Sequence, residues 1–253
     1  MTQITPKVHS IEGITHPDPR GKVFPYLFVE DQDDLTLIDP SFLSQLPILK
    51  YLLDIGYDIK NVKRIILTHV HMDHSQAANE VKRKSGAKIY SHWIEARYLG
   101  QNPPYPGPPS TQETVEKLEK LGVSMEALRK EYGSIEVEPI NVDEEVSDCD
   151  MIGSLKVIHT PGHTPGHISL YYEKDKLLLG ADSIYKHVFG AEGMYISAPQ
   201  VSIDPVTAIV SAQRLSKVNF DKLLMAHQDS PILEGAREAV ETLVAESIQK
   251  LKR

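Results

Sequence analysis

Residues 68–74 read Thr-His-Val-His-Met-Asp-His, so three imidazoles and one carboxylate fall within six positions. An apolar run precedes this stretch and helix-forming residues follow it, which predicts a turn between a buried strand and a helix. In an extended segment His69 and His71 point the same way, and the turn can swing Asp73 and His74 toward a neighbouring point. Imidazoles and carboxylates bind zinc, iron or manganese. The stretch therefore predicts a metal site with room for two adjacent ions.

Three further metal-binding residue types follow apolar strands elsewhere in the chain. His163 follows the strand pattern at 155–158, Asp182 follows Leu-Leu-Leu-Gly-Ala, and His227 follows Leu-Leu-Met-Ala. Each alone is more typical of an ordinary loop residue. Together with the first stretch they make seven ligands, enough for two metals that share a carboxylate and leave one position open. The full candidate set is His69, His71, Asp73, His74, His163, Asp182 and His227.

Strand and helix patterns recur in two halves of the chain. A predicted hairpin at 26–38 begins the first half, a similar hairpin at 169–179 lies in the second, and 236–251 is a closing amphipathic helix. Strands alternating with helices in this way indicate two stacked sheets with helices outside. Residues 101–109 are rich in proline, and 107–133 follows as a predicted helical hairpin inserted near 100–133. We interpret this insertion either as an ordinary connector or as a cap over the site.

Composition excludes several classes of protein. The 253 residues allow one or two domains, and because ligands are spread from His69 to His227 we expect one domain over 1–253. The net charge of −8, from 27 basic and 35 acidic residues, disfavours a nucleic-acid partner. The single cysteine, Cys149, excludes an internal disulfide and a thiolate metal cluster. No apolar run approaches a membrane span of about 18 residues, and 1–10 has no signal-peptide pattern, so we expect a cytoplasmic protein without a membrane partner.

Five motifs in order resemble those of the metallo-β-lactamase-fold hydrolases. They are Leu37-Ile38-Asp39-Pro40, the HxHxDH motif at 69–74, GHTPGH at 162–167, Gly180-Ala181-Asp182 and Met225-Ala226-His227. The resemblance implies an α/β fold, the four-layer αββα sandwich, and two divalent metal ions, with zinc expected and iron, manganese or cobalt left open. It implies one ion held by His69, His71 and His163, and a second held by Asp73, His74 and His227. Asp182 and a hydroxide that attacks a carbonyl would bridge the two ions, and Asp39 would steady the HxHxDH loop.

Tyr185 stands three residues after Asp182, as in the acyl-homoserine-lactone lactonases of this superfamily. There a phenol can donate a hydrogen bond to the developing oxyanion, and Asp182 can pass a proton to the leaving alkoxide. The competing interpretation is a loop aromatic that packs on the sandwich. We expect a hydrolase of a small-molecule lactone or related ester, with quorum quenching as the implied activity. Asp73, Asp182 and Tyr185 are the candidate catalytic residues.

Other interpretations of the same metal site remain open. They are a glyoxalase II-like thioesterase, a promiscuous β-lactamase or phosphodiesterase, and a non-catalytic member of the fold that binds a metabolite. Against the thioesterase, we find no C-terminal basic cluster of the kind that holds glutathione, since Lys222 and Arg237 are isolated. The oligomeric state is open, with a homodimer as one option. His167 is expected to be structural, and surface or loop roles are expected for His9, His16, His92 and His187.

Overall fold

The computed structural model describes residues 2–11, 14–15, 22–41, 46–101, 138–186, 193–197, 202–227 and 231–252. The strands are β1 (Thr2–Gln3), β2 (Val8–Ser10), β3 (Ile14–Thr15), β4 (Lys22–Val23), β5 (Tyr26–Asp31), β6 (Asp34–Ile38), β7 (Val62–Leu67), β8 (Lys88–His92), β9 (Glu144–Val146), β10 (Met151–Ile152), β11 (Leu155–His159), β12 (Ile168–Tyr172), β13 (Leu177–Ala181), β14 (Ile184–Lys186), β15 (Met194–Ile196) and β16 (Lys222–Met225). The helices are α1 (Leu46–Asp54), α2 (Met72–Ser75), α3 (Ala78–Ser85), α4 (Trp93–Leu99), α5 (Pro205–Leu215) and α6 (Ala236–Leu251), with a 3₁₀ turn at Ile59–Asn61.

Two main sheets contain most of the strands. The first has the order β1-β2-β5-β6-β7-β8-β9, and the second has the order β10-β11-β12-β13-β16. Strands β6 to β9 run parallel to one another, and β13 runs parallel to β16. Because parallel strands end on the same side of a sheet, the loops that follow them gather along one edge. The candidate ligands all lie in such loops or beside them.

The core consists of three apolar clusters, and successive residues of β7 point alternately into two of them. Ile65 and Leu67 belong to the cluster that also contains buried residues of α1, α3 and α4. Ile66, between them, belongs to the cluster that joins the two sheets, with Leu170 and Leu179. This alternation follows from the two-residue period of a strand. A third cluster packs the outer face of the second sheet against α5 and α6.

Helix, sheet, sheet and helix are therefore stacked in that order, and the predicted αββα sandwich is confirmed. The predicted helical hairpin at 107–133 lies outside the described residues. Within the ranges given above, none of the helices has both the length and the apolar character needed to cross a bilayer.

The first turn of α5 is stabilised by an N-cap residue, Asp204. Asp204 accepts hydrogen bonds from the backbone N–H groups of Val206 and Thr207, both at 3.0 Å, and Pro205 occupies the first turn. The helix packs directly on the loop after β11. At Gly162, with φ +132°, a Cβ would collide with the backbone of Ala208, so only glycine allows this approach. The capped helix therefore supports the loop that contains His163.

Candidate metal centre

Strand ends deliver the seven candidate residues to one place. His69, His71, Asp73 and His74 lie in the loop after β7 and in the short helix α2 that follows. The remaining three follow β11, β13 and β16 of the second sheet: His163, Asp182 and His227. A backbone hydrogen bond of 3.0 Å from Ile168 N–H to Thr68 O joins the two halves beside the site. The structure thus brings together every predicted metal-site residue.

Three imidazoles converge on one point. Nδ1 of His71 lies 3.1 Å from Nε2 of His69 and 2.9 Å from Nε2 of His163. His69 and His163 are buried, and His71 is partly exposed. In a tetrahedral zinc site with Zn–N bonds of 2.0 to 2.1 Å, neighbouring nitrogens lie about 3.3 Å apart. The spacing of these nitrogens fits a metal ion, and the donor set is one that zinc and iron accept.

A second group contains Asp73, His74 and His227, all of them buried. Oδ2 of Asp73 lies 3.6 Å from Nε2 of His227 and 3.9 Å from Nε2 of His74. The ligand atoms of this group all lie within 4.8 Å of one another. Two imidazoles and a carboxylate at this spacing also match the ligand chemistry of a divalent metal.

Asp182 lies between the two groups. Its Oδ2 is 3.4 Å from Nε2 of His163 and 3.4 Å from Nε2 of His227, while its Oδ1 is 3.4 Å from Nε2 of His74. Ala181, just before it, has φ +46°, and the register of β13 against β16 shifts at this point. Non-glycine residues rarely adopt such a backbone. This local irregularity at the strand end aims the carboxylate into the centre.

Asp39 sets the ring orientation of one histidine in each group. Its Oδ2 accepts hydrogen bonds from the hydroxyl of Thr68 at 2.6 Å and from Nδ1 of His74 at 3.0 Å, and its Oδ1 accepts from Thr68 N–H at 2.8 Å. Because the Thr68 hydroxyl proton is used, Nδ1 of His69, 3.1 Å away, donates to that oxygen. Both rings therefore present an unprotonated Nε2 to the centre when neutral, which is the form that binds a metal. Thr68 was not predicted from the sequence.

Electrostatics favour the metal-binding protonation states of His69, His163 and Asp182. Burial, together with neighbouring imidazoles, lowers the pKa of His69 and of His163 well below the usual value. Burial opposes ionisation of Asp182, but the imidazoles of His74 and His227 outweigh it and its pKa lies well below normal. At neutral pH His69 and His163 are therefore uncharged and Asp182 is a carboxylate. Metal ligands need these protonation states.

His167 has the structural role that was expected. It is fully buried, and burial lowers its pKa to about 3, so the ring is neutral. Its Nε2 accepts the backbone N–H of Asp182 at 3.2 Å, and its Nδ1 donates to the hydroxyl of Thr160 at 2.8 Å. The ring thereby supports the backbone of Asp182 from behind.

Two other expectations for histidines are wrong. His9 is buried in a sheet, with Nδ1 2.7 Å from the hydroxyl of Tyr51. His92 is also buried and stacks on His159, with ring centroids 4.2 Å apart. The residue that contacts each ring here comes from a distant segment, so the local sequence did not reveal it. The remaining two, His16 and His187, lie outside the described residues.

Glu95 was missed by sequence reasoning. It is buried in α4, where it accepts hydrogen bonds from backbone N–H groups of both histidine-containing loops, at Val70 and Gly166. Burial raises the pKa of this carboxyl, and the hydrogen bonds oppose that rise. The only sequence signal is its spacing of four residues from Leu99, which is buried on the same face of the helix.

Comparisons with known proteins identify the family of the chain. The sequence model of the metallo-beta-lactamase superfamily matches residues 19–223. A probable metallo-hydrolase of Bacillus subtilis, YybB, is 28% identical over 61% of this chain and 59% of its own length. The hydroxyacylglutathione hydrolase GloC of Haemophilus influenzae is 25% identical over 65% of this chain and 68% of its own length. An N-acyl homoserine lactonase of a Bacillus species is 24% identical over 76% of this chain and 62% of its own length.

Solved structures share the fold at low identity. The metallo-beta-lactamase family protein TTHA1429 of Thermus thermophilus aligns over 99% of this chain and 82% of its own, with 22% identity and a TM-score of 0.71. TTHA1623, solved in a di-iron-bound form, aligns over 88% of this chain and 95% of its own, with 20% identity and a TM-score of 0.59. With the family match over most of its length, the chain belongs to the metallo-beta-lactamase superfamily.

Proposed function

We propose that this protein is a two-metal hydrolase that opens a lactone or cleaves a related ester. The observation that supports this choice of substrate is the position of Tyr185. Its hydroxyl donates a 2.5 Å hydrogen bond to Oδ2 of Asp182, and its ring stacks on that of His227 with centroids 5.6 Å apart. The side chain is buried, so a phenol stands against the centre and not on an open loop.

The proposed metal ligands follow the two groups described above. One ion would be held by His69, His71 and His163, and the other by Asp73, His74 and His227, with Asp182 between them. When bound, two divalent ions bring the pKa of a water to about 7 and polarise the scissile carbonyl. We propose zinc, with iron, manganese or cobalt as alternatives, since these ligands accept all four. The di-iron form of TTHA1623, a protein of similar fold, keeps iron in consideration.

The chain itself would supply three effects. The hydroxyl hydrogen of Tyr185, donated to Asp182 in this structure, would be redirected to the carbonyl oxygen of the substrate as negative charge develops there. Asp182, ionised at neutral pH, would accept the proton of the attacking hydroxide and pass it to the leaving alkoxide. Asp39 and Thr68 would keep His69 and His74 in the ring orientation required throughout.

A glyoxalase II-like thioesterase is the second candidate. GloC supports it by similarity, and the same two-metal chemistry serves a thioester. Glutathione is anionic and needs cationic side chains. In the described C-terminal segment, however, the guanidinium of Arg237 is already bonded to Glu241 and Glu238, at 2.8 and 3.0 Å. We place the lactone or ester first because of the Tyr185 hydroxyl beside Asp182.

A substrate panel tests the proposal. Protein loaded with Zn²⁺, Mn²⁺ or Co²⁺ is assayed against acyl-homoserine lactones, glutathione thioesters, a β-lactam and a phosphodiester. We expect lactone turnover with the highest kcat/KM. Preferred turnover of glutathione thioesters would support the second candidate, and turnover of phosphodiesters alone would refute both. Metal-loaded protein that turns over none of the four would support a metabolite-binding role.

The same proposal includes a small-molecule substrate in place of nucleic acid, for which the net charge of −8 is the support. A cytoplasmic location and a homodimer stay predictions. Gel filtration with light scattering measures the oligomeric state directly.

A further inference from the structure

A single buried carboxylate joins the two loops that supply the three-histidine group. Oε2 of Glu95 accepts a hydrogen bond of 2.7 Å from Val70 N–H, and Oε1 accepts one of 2.7 Å from Gly166 N–H. Val70 stands between two ligands of the first loop, and Gly166 is three residues after His163. The first loop belongs to one half of the sandwich and the second loop to the other. Glu95, at 0% exposure, lies between them.

The second loop is shaped to receive this side chain. A Cβ at Gly166 would lie 2.8 Å from Cγ of Glu95 and 2.9 Å from its backbone nitrogen, which is closer than packed atoms allow. Glycine at 166 therefore permits the contact. Placing an ionisable carboxyl in the core costs free energy unless it is hydrogen-bonded, and Glu95 offsets that cost through both loop N–H groups. A well-packed apolar residue would fill the space but could hold neither loop.

We propose that Glu95 is a positioning residue for the three-histidine metal position. It fixes the separation of the two loops, and so the 2.9 Å approach of His71 Nδ1 to His163 Nε2. This inference rests on the proposed two-metal site and is independent of the substrate. Glu95 acts through the backbone at Val70 and Gly166, not through contact with a ligand ring.

The proposal predicts an asymmetry between the two metal positions. Asp73 and His74 lie in α2, and His74 is held by its 3.0 Å hydrogen bond to Asp39. The hydrogen bonds described for Glu95 go instead to Val70, between His69 and His71, and to Gly166, in the loop that contains His163. Loss of Glu95 should therefore weaken the three-histidine position and leave the other position unchanged.

Glu95→Gln tests this with little change of volume. An amide has one acceptor oxygen and one donor NH₂ group, so one of the two loop N–H groups would face another donor. The metal-free protein is titrated with Zn²⁺ in competition with a chromophoric chelator, and native mass spectrometry counts the ions bound. We expect wild type to bind two ions, and the variant to lose about 10- to 100-fold in affinity for one of them. The absorption spectrum of the Co²⁺-loaded variant should change for that ion alone.

Glu30→Gln is the matched control. The two oxygens of Glu30 accept hydrogen bonds of 2.6 Å from Ser154 N–H and from Ser154 Oγ, and a Cβ at Gly153 would collide with its carboxylate. Glu30 lies near the end of β5, which runs antiparallel to β6, so this similar tether is at the end of the sandwich away from Asp39. Both Zn²⁺ affinities of Glu30→Gln should equal those of wild type.

Three results would overturn the inference: unchanged affinities in Glu95→Gln, an equal loss at both positions, or the same loss in Glu30→Gln. A wild type that binds fewer than two ions would instead refute the proposed function, and this inference with it. Should Glu95→Gln not fold, as judged by circular dichroism, the titration is run on Glu95→Asp. That variant keeps both acceptors but withdraws them by one methylene, and unchanged affinities there would equally overturn the inference.

Discussion

The hydroxyl of Tyr185 donates a 2.5 Å hydrogen bond to Oδ2 of Asp182, and the same oxygen lies 3.4 Å from Nε2 of His163 and of His227. One carboxylate oxygen therefore faces both candidate metal positions and a phenol. Because nearby imidazoles keep the pKa of Asp182 well below normal despite its burial, this oxygen carries negative charge at neutral pH. A change at Asp182 should therefore affect both metal binding and the chemistry on the substrate, whereas loss of the Tyr185 hydroxyl should affect the chemistry alone.

Asp182→Asn should reduce both metal binding and lactone hydrolysis. The amide carries no charge and presents a donor group toward imidazoles, so we expect fewer than two ions per chain and a fall in lactone hydrolysis of more than about 100-fold. Plasma mass spectrometry gives the metal content, and a pH-stat assay gives the rate. Asp143→Asn is the control, because the Asp143 carboxylate accepts a hydrogen bond from Ile89 N–H near the start of β8, away from the strand ends of the site. Full activity of Asp182→Asn would refute its bridging role.

Tyr185→Phe should keep the metals and lose rate. The ring can still stack on His227, but the hydroxyl that would stabilise the oxyanion is gone. We expect kcat for a lactone to fall about 100-fold, with two ions still bound. Steady-state kinetics and metal content measured on the same sample check this. Unchanged kcat would assign Tyr185 to packing alone.

Asp39→Asn should weaken metal binding at both positions, unlike a change at Glu95. Oδ2 of Asp39 accepts from Thr68 and from His74, so an NH₂ group there would oppose two donors. A carboxylate that orients metal ligands in this way contributes about 10- to 100-fold to metal affinity. The Zn²⁺ competition titration should show both steps weakened. A loss confined to one step would refute the relay through Thr68 to His69.

Metal removal should destabilise the folded protein. Five imidazoles and two carboxylates gather at the centre, and ions that bind only the native state raise the free energy of unfolding. With free metal at 1,000 times its Kd, the increase is about 4 kcal/mol. Thermal melts of chelator-treated protein, with and without added Zn²⁺, should show a higher Tm with the metal. Equal Tm values under both conditions would argue against a resident metal.

His92 should make the metal-free protein sensitive to mild acid. Burial, with His159 stacked on it, lowers the pKa of His92 from 6.5 to about 4, while nearby Asp148 opposes the shift. Between pH 6.5 and 4, His92 is protonated in the unfolded chain but stays neutral in the folded chain. The free energy of unfolding therefore falls as the pH is lowered from 6.5 to 4. Below pH 4 His92 is protonated in both states and causes no further change. His92→Asn removes the titration and keeps an acceptor for Ile94 N–H.

Urea denaturation of chelator-treated protein from pH 4.5 to 7 checks this. The slope of unfolding free energy against pH should become shallower in His92→Asn by up to about 1.4 kcal/mol per pH unit. His167, with its pKa lowered to about 3, contributes to this pH dependence equally in wild type and in His92→Asn, so part of the slope remains in the variant. A slope equal to that of wild type would contradict the prediction.

Sequence and tertiary structure contributed different parts of this picture. The HxHxDH stretch and the residues after β11, β13 and β16 were readable because strand ends and ligand types leave local patterns. The alternation of Ile65, Ile66 and Leu67 likewise predicts a strand between two apolar layers, as observed. Local pattern therefore determined the fold class and the candidate ligands.

Only the tertiary structure decided how those residues are held. Glu95 joins loops that lie 25 and 71 residues away in the chain, and Asp39 reaches Thr68 across 29. The ring of His92 meets that of His159 in the same way. A buried carboxylate in a helix has the same local signature as an exposed one, because its partners are backbone N–H groups that any residue except proline could supply. Which side chains and backbone groups face one another depends on how the two sheets stack. No single segment of the sequence determines that stacking.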